Sequence, residues 1–422
     1  MSKKIKLFIF SFINIFLLFR VDIFNTPYIL YFLAIVGLLL IAINIRRYQQ
    51  LCFFSVLLLM SIAFAIGVIA FNNTGEYSYP KMLVSIFFKI GVCFFSYQVF
   101  LLFFGKKGSP ELYMRSYIIS MMIVAISTLI LIALPKVSDF WIGHIVPDNE
   151  RLHQGYLYRK SIVGYTGFDE LLIYTPALFF NIFFIAKRMN TKKAIFKYVV
   201  SFFILIVGCL FYGRSSIVTI GLSMILLLSL VKKKTKILKF FGWAFIFAAV
   251  GLTIMIIIAQ YNTYFGWWMN WAFEPFIAFF TNSSIGSMES LSNMYIMPST
   301  KTLFFGDGLF NTPEGYYMHS DVGLLRSIYF FGIFGLLLNL AMVIYLFVVC
   351  KKKCPKSIGI ICVFILINVL IYEVKGLAFD ACVVQFSLFY FICGDKKLMR
   401  RYRIAQMLRR RRRRIKVRFA QA

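Results

Sequence analysis

The chain has 422 residues, of which 61% are hydrophobic and only 15% charged, with a mean hydropathy of +0.81. A soluble domain carries about 25% charged and about 45–50% apolar residues, so a soluble globular fold is excluded. The formal net charge of +30 does not mark a nucleic-acid partner, because the basic residues follow the ends of apolar runs and report membrane topology.

In chain order, apolar runs fall near residues 7–19, 28–45, 51–71, 82–104, 116–134, 171–186, 198–212, 217–231, 240–260, 322–350, 358–374 and 378–394. Most are close to the length that a helix needs to cross hydrocarbon, about 17–25 residues; barrel strands would instead be ~10-residue alternating segments. The expected fold is all-α, a polytopic integral membrane protein of about 12 transmembrane helices. Residues 1–394 read as one helical domain and residues 395–422 as a basic tail. The first run is short and lacks a small-residue cleavage site, so it reads as a retained helix. The seventh and eighth runs are joined only by "GRSS", which leaves eleven or thirteen crossings as alternatives.

Charge sets the expected orientation. With "MSKKIK" inside, the inner segments "IRRYQQ", "GKKGSPELYMR", "AKRMNTKKAIFK", "VKKKTKILK", "CKKKCPK" and the tail hold most of the lysines and arginines. Of the acids they hold only Glu111 and Asp395. Lysine and arginine near helix ends are retained on the cytoplasmic side, so both termini are expected to be cytoplasmic. The tail "MLRRRRRRIKVRF" either binds anionic membrane lipids, at about 1 kcal/mol per basic residue, or is a solvated topology signal. The 8 cysteines lie in spans or at their inner ends, which argues against disulfides. Cys350 and Cys354 flank "KKK" as a lone pair and read as structural, with no metal site.

Two long outer loops, 135–170 and 261–321, are rich in aromatic residues and are therefore expected to be ordered and functional. Within the second, "WWMNWAFEPFIAFF" reads as an interfacial helix, its Trp and Phe at headgroup depth; such rings can also form platforms for sugars. Ionisable residues gather at the outer helix mouths: Glu170, Arg214, His319, Asp321, Arg326, Glu373, Lys375 and Asp380, with Lys89 alone in mid-span. Charges at membrane depth are costly and mark functional sites or structural ion pairs. Arg214 occupies a tight turn between two spans, where a guanidinium can hold a phosphate bidentately. His319 and Arg326 would share one helix face two turns apart if the helix starts that early. A neutral His there could take a hydroxyl proton above an anion-binding Arg; it could equally cap the helix.

Several chemistries lack their motifs. There is no G-x-x-x-x-G-K-[ST] loop for an ATP-driven pump, no H-E-x-x-H metal site and no D-x-D cluster for a nucleotide sugar. A glycosyl donor, if one is used, should be a lipid diphosphate.

The "GRSS" turn, the segment "GDGLFNTPEGYYMHSDVGLLRSIYFFGIFGLLLNL" and the later "IYEVKGLAFDACVVQFSLFYFI" together resemble the O-antigen and exopolysaccharide repeat-unit polymerases (Wzy-type), relatives of the O-antigen ligases. "HSDVGLLR" before an F-G-I-F-G span carries most of the likeness. The resemblance implies a GT-C-like inner-membrane glycosyltransferase with its active face periplasmic and two large periplasmic loops. Its substrates would be oligosaccharides on undecaprenyl diphosphate, and it would need no metal, nucleotide or other cofactor. A chain-length regulator (co-polymerase) is the further partner it implies.

On that reading the leaving diphosphate needs fixed cations: Arg214 and Arg326 first, then Arg159, Lys160 and Lys375. The acceptor hydroxyl needs a base: His319 first, with Asp321 or Glu170 as alternatives or as orienting groups. "NERLHQGYLYRK" matches the family's Arg-rich loops only in part, which bears on Arg151 and Arg159. The competing expectations are an O-antigen ligase transferring polymer to lipid A–core and a lipid-linked oligosaccharide flippase. A transporter usually places its charges near the midplane in repeat-related halves, a pattern that this chain lacks.

Overall fold

A backbone in hydrocarbon must satisfy its own N–H and C=O groups, and each apolar run does so by winding into a helix. The structure is a computed structural model that describes residues 2–19, 21, 27–145, 160–165, 167–189, 192–231, 234–281 and 286–419. It is 86% helical. Among the described residues, 8 helices are long and apolar enough to cross a membrane, and the shorter apolar helices Tyr28–Ile43, Ser216–Leu230 and Phe379–Gly394 accompany them. The chain is a multi-pass, helical membrane protein.

The first half contains α1 (Lys3–Phe19), α2 (Pro27–Ile43), α3 (Gln49–Asn72), α4 (Ser78–Phe104), α5 (Pro110–Ala133) and α6 (Pro135–Ile145). A two-residue hairpin, β1 (Lys160–Ser161) and β2 (Gly164–Tyr165), precedes α7 (Phe168–Tyr174), α8 (Pro176–Arg188), α9 (Lys192–Tyr212), α10 (Ser216–Leu230) and α11 (Lys234–Tyr261). Local signals set several ends. Ser109 caps α5 by accepting from the Leu112 N–H, with Pro110 in the first turn. Where α2 crosses α4, Gly37 and Gly91 allow backbone contact; a Cβ on Gly37 would meet the Gly91 carbonyl, and one on Gly91 the Ala34 carbonyl. Small residues at a crossing are how membrane helices gain close packing without a hydrophobic driving force.

The second half continues with α12 (Thr263–Thr281), α13 (Gly286–Asn293), α14 (Thr300–Phe305) and a hairpin of β3 (Asn311–Thr312) and β4 (Gly315–Tyr316). Then come α15 (Gly323–Lys353), α16 (Lys356–Glu373), α17 (Phe379–Gly394) and the tail helix α18 (Lys396–Phe419). The tail helix starts against the bundle. Asp395 accepts from Leu398 N at 3.0 Å and from Tyr97 at 2.5 Å, and it pairs with Arg47 at 3.3 Å. Tyr402 donates to Glu111 at 2.5 Å.

One break positions the site. Gly332 sits inside α15 at φ 70, ψ −173, outside the helical region, and only glycine adopts that conformation without strain. The interruption frees carbonyls, and the segment after α14 takes them: Asp307 N donates to Tyr329 O at 2.6 Å and Gly308 N to Phe330 O at 3.2 Å. The "GDG" loop is thereby fastened to the break in "FGIFG", and the hairpin that follows lies over the first turns of α15.

Two expectations change. The aromatic helix α12 is helical as read, but Trp268 is fully buried and stacks on Phe211 with ring centroids 4.0 Å apart. It is packed in the bundle on that face, and Trp267 remains exposed. Cys350 and Cys354 are not a lone pair either, because helix packing brings Cys362 to both of them.

Candidate functional site

The site starts from the turn between α9 and α10. Three residues, Gly213, Arg214 and Ser215, reverse the chain, closed by Ser216 N donating to Gly213 O at 3.0 Å. So short a turn leaves Arg214 beside the helix ends. Its guanidinium forms an ion pair with Glu274 and lies 5.0 Å from the Trp271 ring. Trp271 and Glu274 are one turn apart on α12 and so share a face. The end of α16 is fastened to the same turn, with Tyr372 donating to Ser215 O at 2.9 Å and Lys375 Nζ to Ser215 Oγ at 3.4 Å. Arg214 and Lys375 are thus brought to one place from distant parts of the sequence.

The second component is the start of α15. Arg326 is buried between two rings, its guanidinium carbon 3.8 Å from the centre of Phe310 and 4.0 Å from that of Tyr316. Nη2 donates to Asn311 Oδ1 at 3.1 Å and Nη1 lies 3.8 Å from Asp321 Oδ1. The Nε atom is buried without a hydrogen-bond partner among the described residues. Planar geometry makes arginine the cation suited to such stacking. The hairpin supplies both rings and Asn311, so it acts as a clamp on the cation.

Asp321 links the two components. Burial pushes its carboxyl above the usual carboxylate range; Arg326 pulls it down, the Asp169 carboxylate pushes it up, and Lys375 pulls it down. Asp169, Lys375 and Arg326 are therefore all within electrostatic reach of one carboxylate. Glu170 follows Asp169 in α7 and folds back over Gly167. The Phe168 ring packs 5.4 Å from Tyr372, holding α7 beside the α16–α17 connection. There Gly323 lies against the Gly376 carbonyl and Glu373, where a Cβ would leave no room.

His319 is placed differently from the expectation. The helix begins at Gly323, and His319 ends a separate 3-10 turn, Tyr317–His319, at φ 50 next to Met318 at φ 56. His319 and Arg326 therefore share no helix face. His319 is exposed, two residues from Asp321. Glu373 accepts from Ala378 N at 2.7 Å and caps the entry to α17, a structural role. Lys89 is not isolated in mid-span: it pairs with Asp380 of α17. Arg151 and Arg159 lie outside the described residues. Lys160 opens β1 opposite Tyr165, and its side chain lies outside them too.

The structure therefore groups Arg214, Lys375, Arg326 and Asp321, with Glu170 next to Asp169 in α7, and it adds Glu274, Asp169, Asn311, Phe310 and Tyr316, which the sequence reading missed. A signal existed for one of them: Glu274 is the only acid in the aromatic stretch "WWMNWAFEPFIAFF". Fixed cations beside carboxylates, at the mouth of apolar helices, can hold an anionic group and accept a proton close to it. No protein family, curated protein or solved structure matches the chain.

Proposed function

We propose that the chain polymerises oligosaccharide repeat units carried on a polyprenyl diphosphate, at the periplasmic face of a bacterial inner membrane. The basic residues at the helix ends support an orientation with both termini cytoplasmic and the Arg214 end outside, in keeping with about 12 crossings and two large periplasmic loops. The observation that carries the reading is the convergence of Lys375, Arg326, Asp321 and Asp169, with Arg214 in the turn that Lys375 reaches through Ser215, at one end of an apolar bundle. A lipid-diphosphate leaving group requires such cations next to hydrocarbon, because the lipid stays in the membrane while the phosphates reach its surface.

In this mechanism the acceptor sugar's hydroxyl oxygen forms a bond to the anomeric carbon of the growing glycan. The bond from that carbon to the diphosphate oxygen breaks, and its electron pair leaves with the phosphate. Arg214 and Lys375 stabilise the charge that develops there, and Arg326 adds positive potential beside Asp321. Asp321 takes the hydroxyl proton, favoured by its raised pKa, and exposed His319 on the same connection relays it to water. Trp267, exposed on α12, offers a face for a sugar ring.

The test is the surface glycan of the native host carrying Arg214→Ala. Lipid A–core bearing one repeat unit and no ladder is the expected result, with normal amounts of protein in the membrane. Arg214→Lys should restore little ladder, since an ammonium cannot make the bidentate contact. A normal ladder from Arg214→Ala would overturn the diphosphate role. Core without any repeat, with polymer accumulating on the lipid carrier, would identify a ligase.

A further inference from the structure

At the end of the bundle away from Arg214, three cysteines converge, with a fourth beside one of them. Cys350 comes from the last turns of α15, Cys354 from the connection to α16, Cys362 from α16 itself and Cys393 from the end of α17. Cys350 Sγ is 3.9 Å from Cys362 Sγ, and Cys362 Sγ is 4.0 Å from Cys354 Sγ. All three sulfurs lie within 4.8 Å of one another. Cys393 interacts with the Cys354 thiol from outside that group of three. Cys350, Cys362 and Cys393 are buried, and Cys354 is partly exposed.

We propose that these thiols form a structural zinc site. In a tetrahedral thiolate site with Zn–S near ~2.3 Å, neighbouring sulfurs sit about 3.8 Å apart, close to the 3.9 and 4.0 Å from Cys362 to Cys350 and to Cys354. An iron–sulfur cluster interposes several irons and sulfides and holds its cysteines farther apart. A disulfide needs a bond of about 2.0 Å and uses two thiols, not four. Charge agrees with the assignment. Three or four thiolates and one Zn²⁺ leave a net negative site, and Lys351, Lys352, Lys353 and Lys356 surround it in sequence. Lys353 is held close by, its Nζ 3.9 Å above the Tyr390 ring of α17. Cys393, next to Cys354, is the thiol placed to complete the set; with it as the fourth protein ligand no position would be open, and the ion would be structural and not catalytic. It ties together the inner ends of α15, α16 and α17, the helices whose opposite ends carry Arg326, Lys375 and Asp380.

The experiment is metal analysis of the full chain, purified in mild detergent under reducing conditions. One zinc per chain is expected, lost from the Cys354→Ser/Cys362→Ser double variant and kept in Cys52→Ser, a cysteine on α3. Cobalt supplied to the stripped chain should give thiolate charge-transfer and intense tetrahedral d–d absorption. Chelation should also expose the thiols to maleimide labelling. Wild-type protein with much less than one zinc, or with copper in its place, overturns the proposal, and this count stands even if the double variant does not fold. Zinc retained equally by the double variant means an adventitious ion only, and also overturns it.

Discussion

Replacing Arg326 by methionine removes the cation while roughly keeping the length of the side chain. Two ring faces at 3.8 and 4.0 Å are each worth about 0.5–2 kcal/mol, the upper end applying where water is excluded. The hydrogen bond from the charged Nη2 to Asn311 adds about 1.5–3 kcal/mol. Against these gains stands the desolvation of a buried guanidinium, several kcal/mol, which methionine does not incur. With that cost at about 3 kcal/mol, the net loss should be no more than about 4 kcal/mol. Scaling with chain length, a protein of this size loses about 1–2 °C of melting temperature per kcal/mol. Thermal unfolding in detergent should therefore show a drop of up to roughly 8 °C. Limited proteolysis should show cleavage appearing between Asn311 and Tyr316, because the hairpin loses what it closes on. Arg326→Lys keeps the charge without the planar fork and should fall between wild type and Arg326→Met. An Arg326→Met protein that melts with the wild type and resists cleavage would refute the clamp.

Two further outcomes follow from the same charges. Lys89 and Asp380 pair inside the helical bundle, so Lys89→Met alone should destabilise by about 1–3 kcal/mol by leaving the partly buried Asp380 carboxylate without this partner. The Lys89→Met/Asp380→Leu double variant should recover most of that stability in the same melting assay, and additive losses would show that the pair does not interact. In polymerisation with purified components, activity should fall as pH drops through the raised pKa of Asp321, because the protonated carboxyl cannot accept the acceptor's proton. Asp169→Asn removes a charge that pushes this pKa up, so the acidic limb should move to lower pH. Lys375→Met removes one that pulls it down, so the limb should move to higher pH whatever happens to the maximal rate. Shifts in the opposite sense would remove Asp321 from the proton transfer.

What the sequence by itself determined is the membrane class, the helical character of each apolar run and the tight turn that holds Arg214 at the helix ends. These follow from local properties: a long apolar segment has no other way to satisfy its backbone in lipid, and Gly-Arg-Ser-Ser between two such segments leaves no room for a longer excursion. Ionisable residues at helix mouths were legible for the same reason, as costly exceptions to an apolar background. Partnerships were not legible. Lys89 looked isolated because its partner Asp380 lies across the chain, and Cys350 and Cys354 looked like a lone pair because Cys362 and Cys393 reach them only through helix packing. The Arg326 clamp depends on a hairpin whose position is set by the break at Gly332, and that break frees carbonyls for the Asp307 and Gly308 amides. The same geometry starts α15 at Gly323 and leaves His319 in a separate turn. Periodicity and composition constrain each segment against the membrane. Only packing of the segments against one another decides which charges meet, because that depends on helix crossings at single glycines and on backbone groups that a broken helix leaves to be claimed.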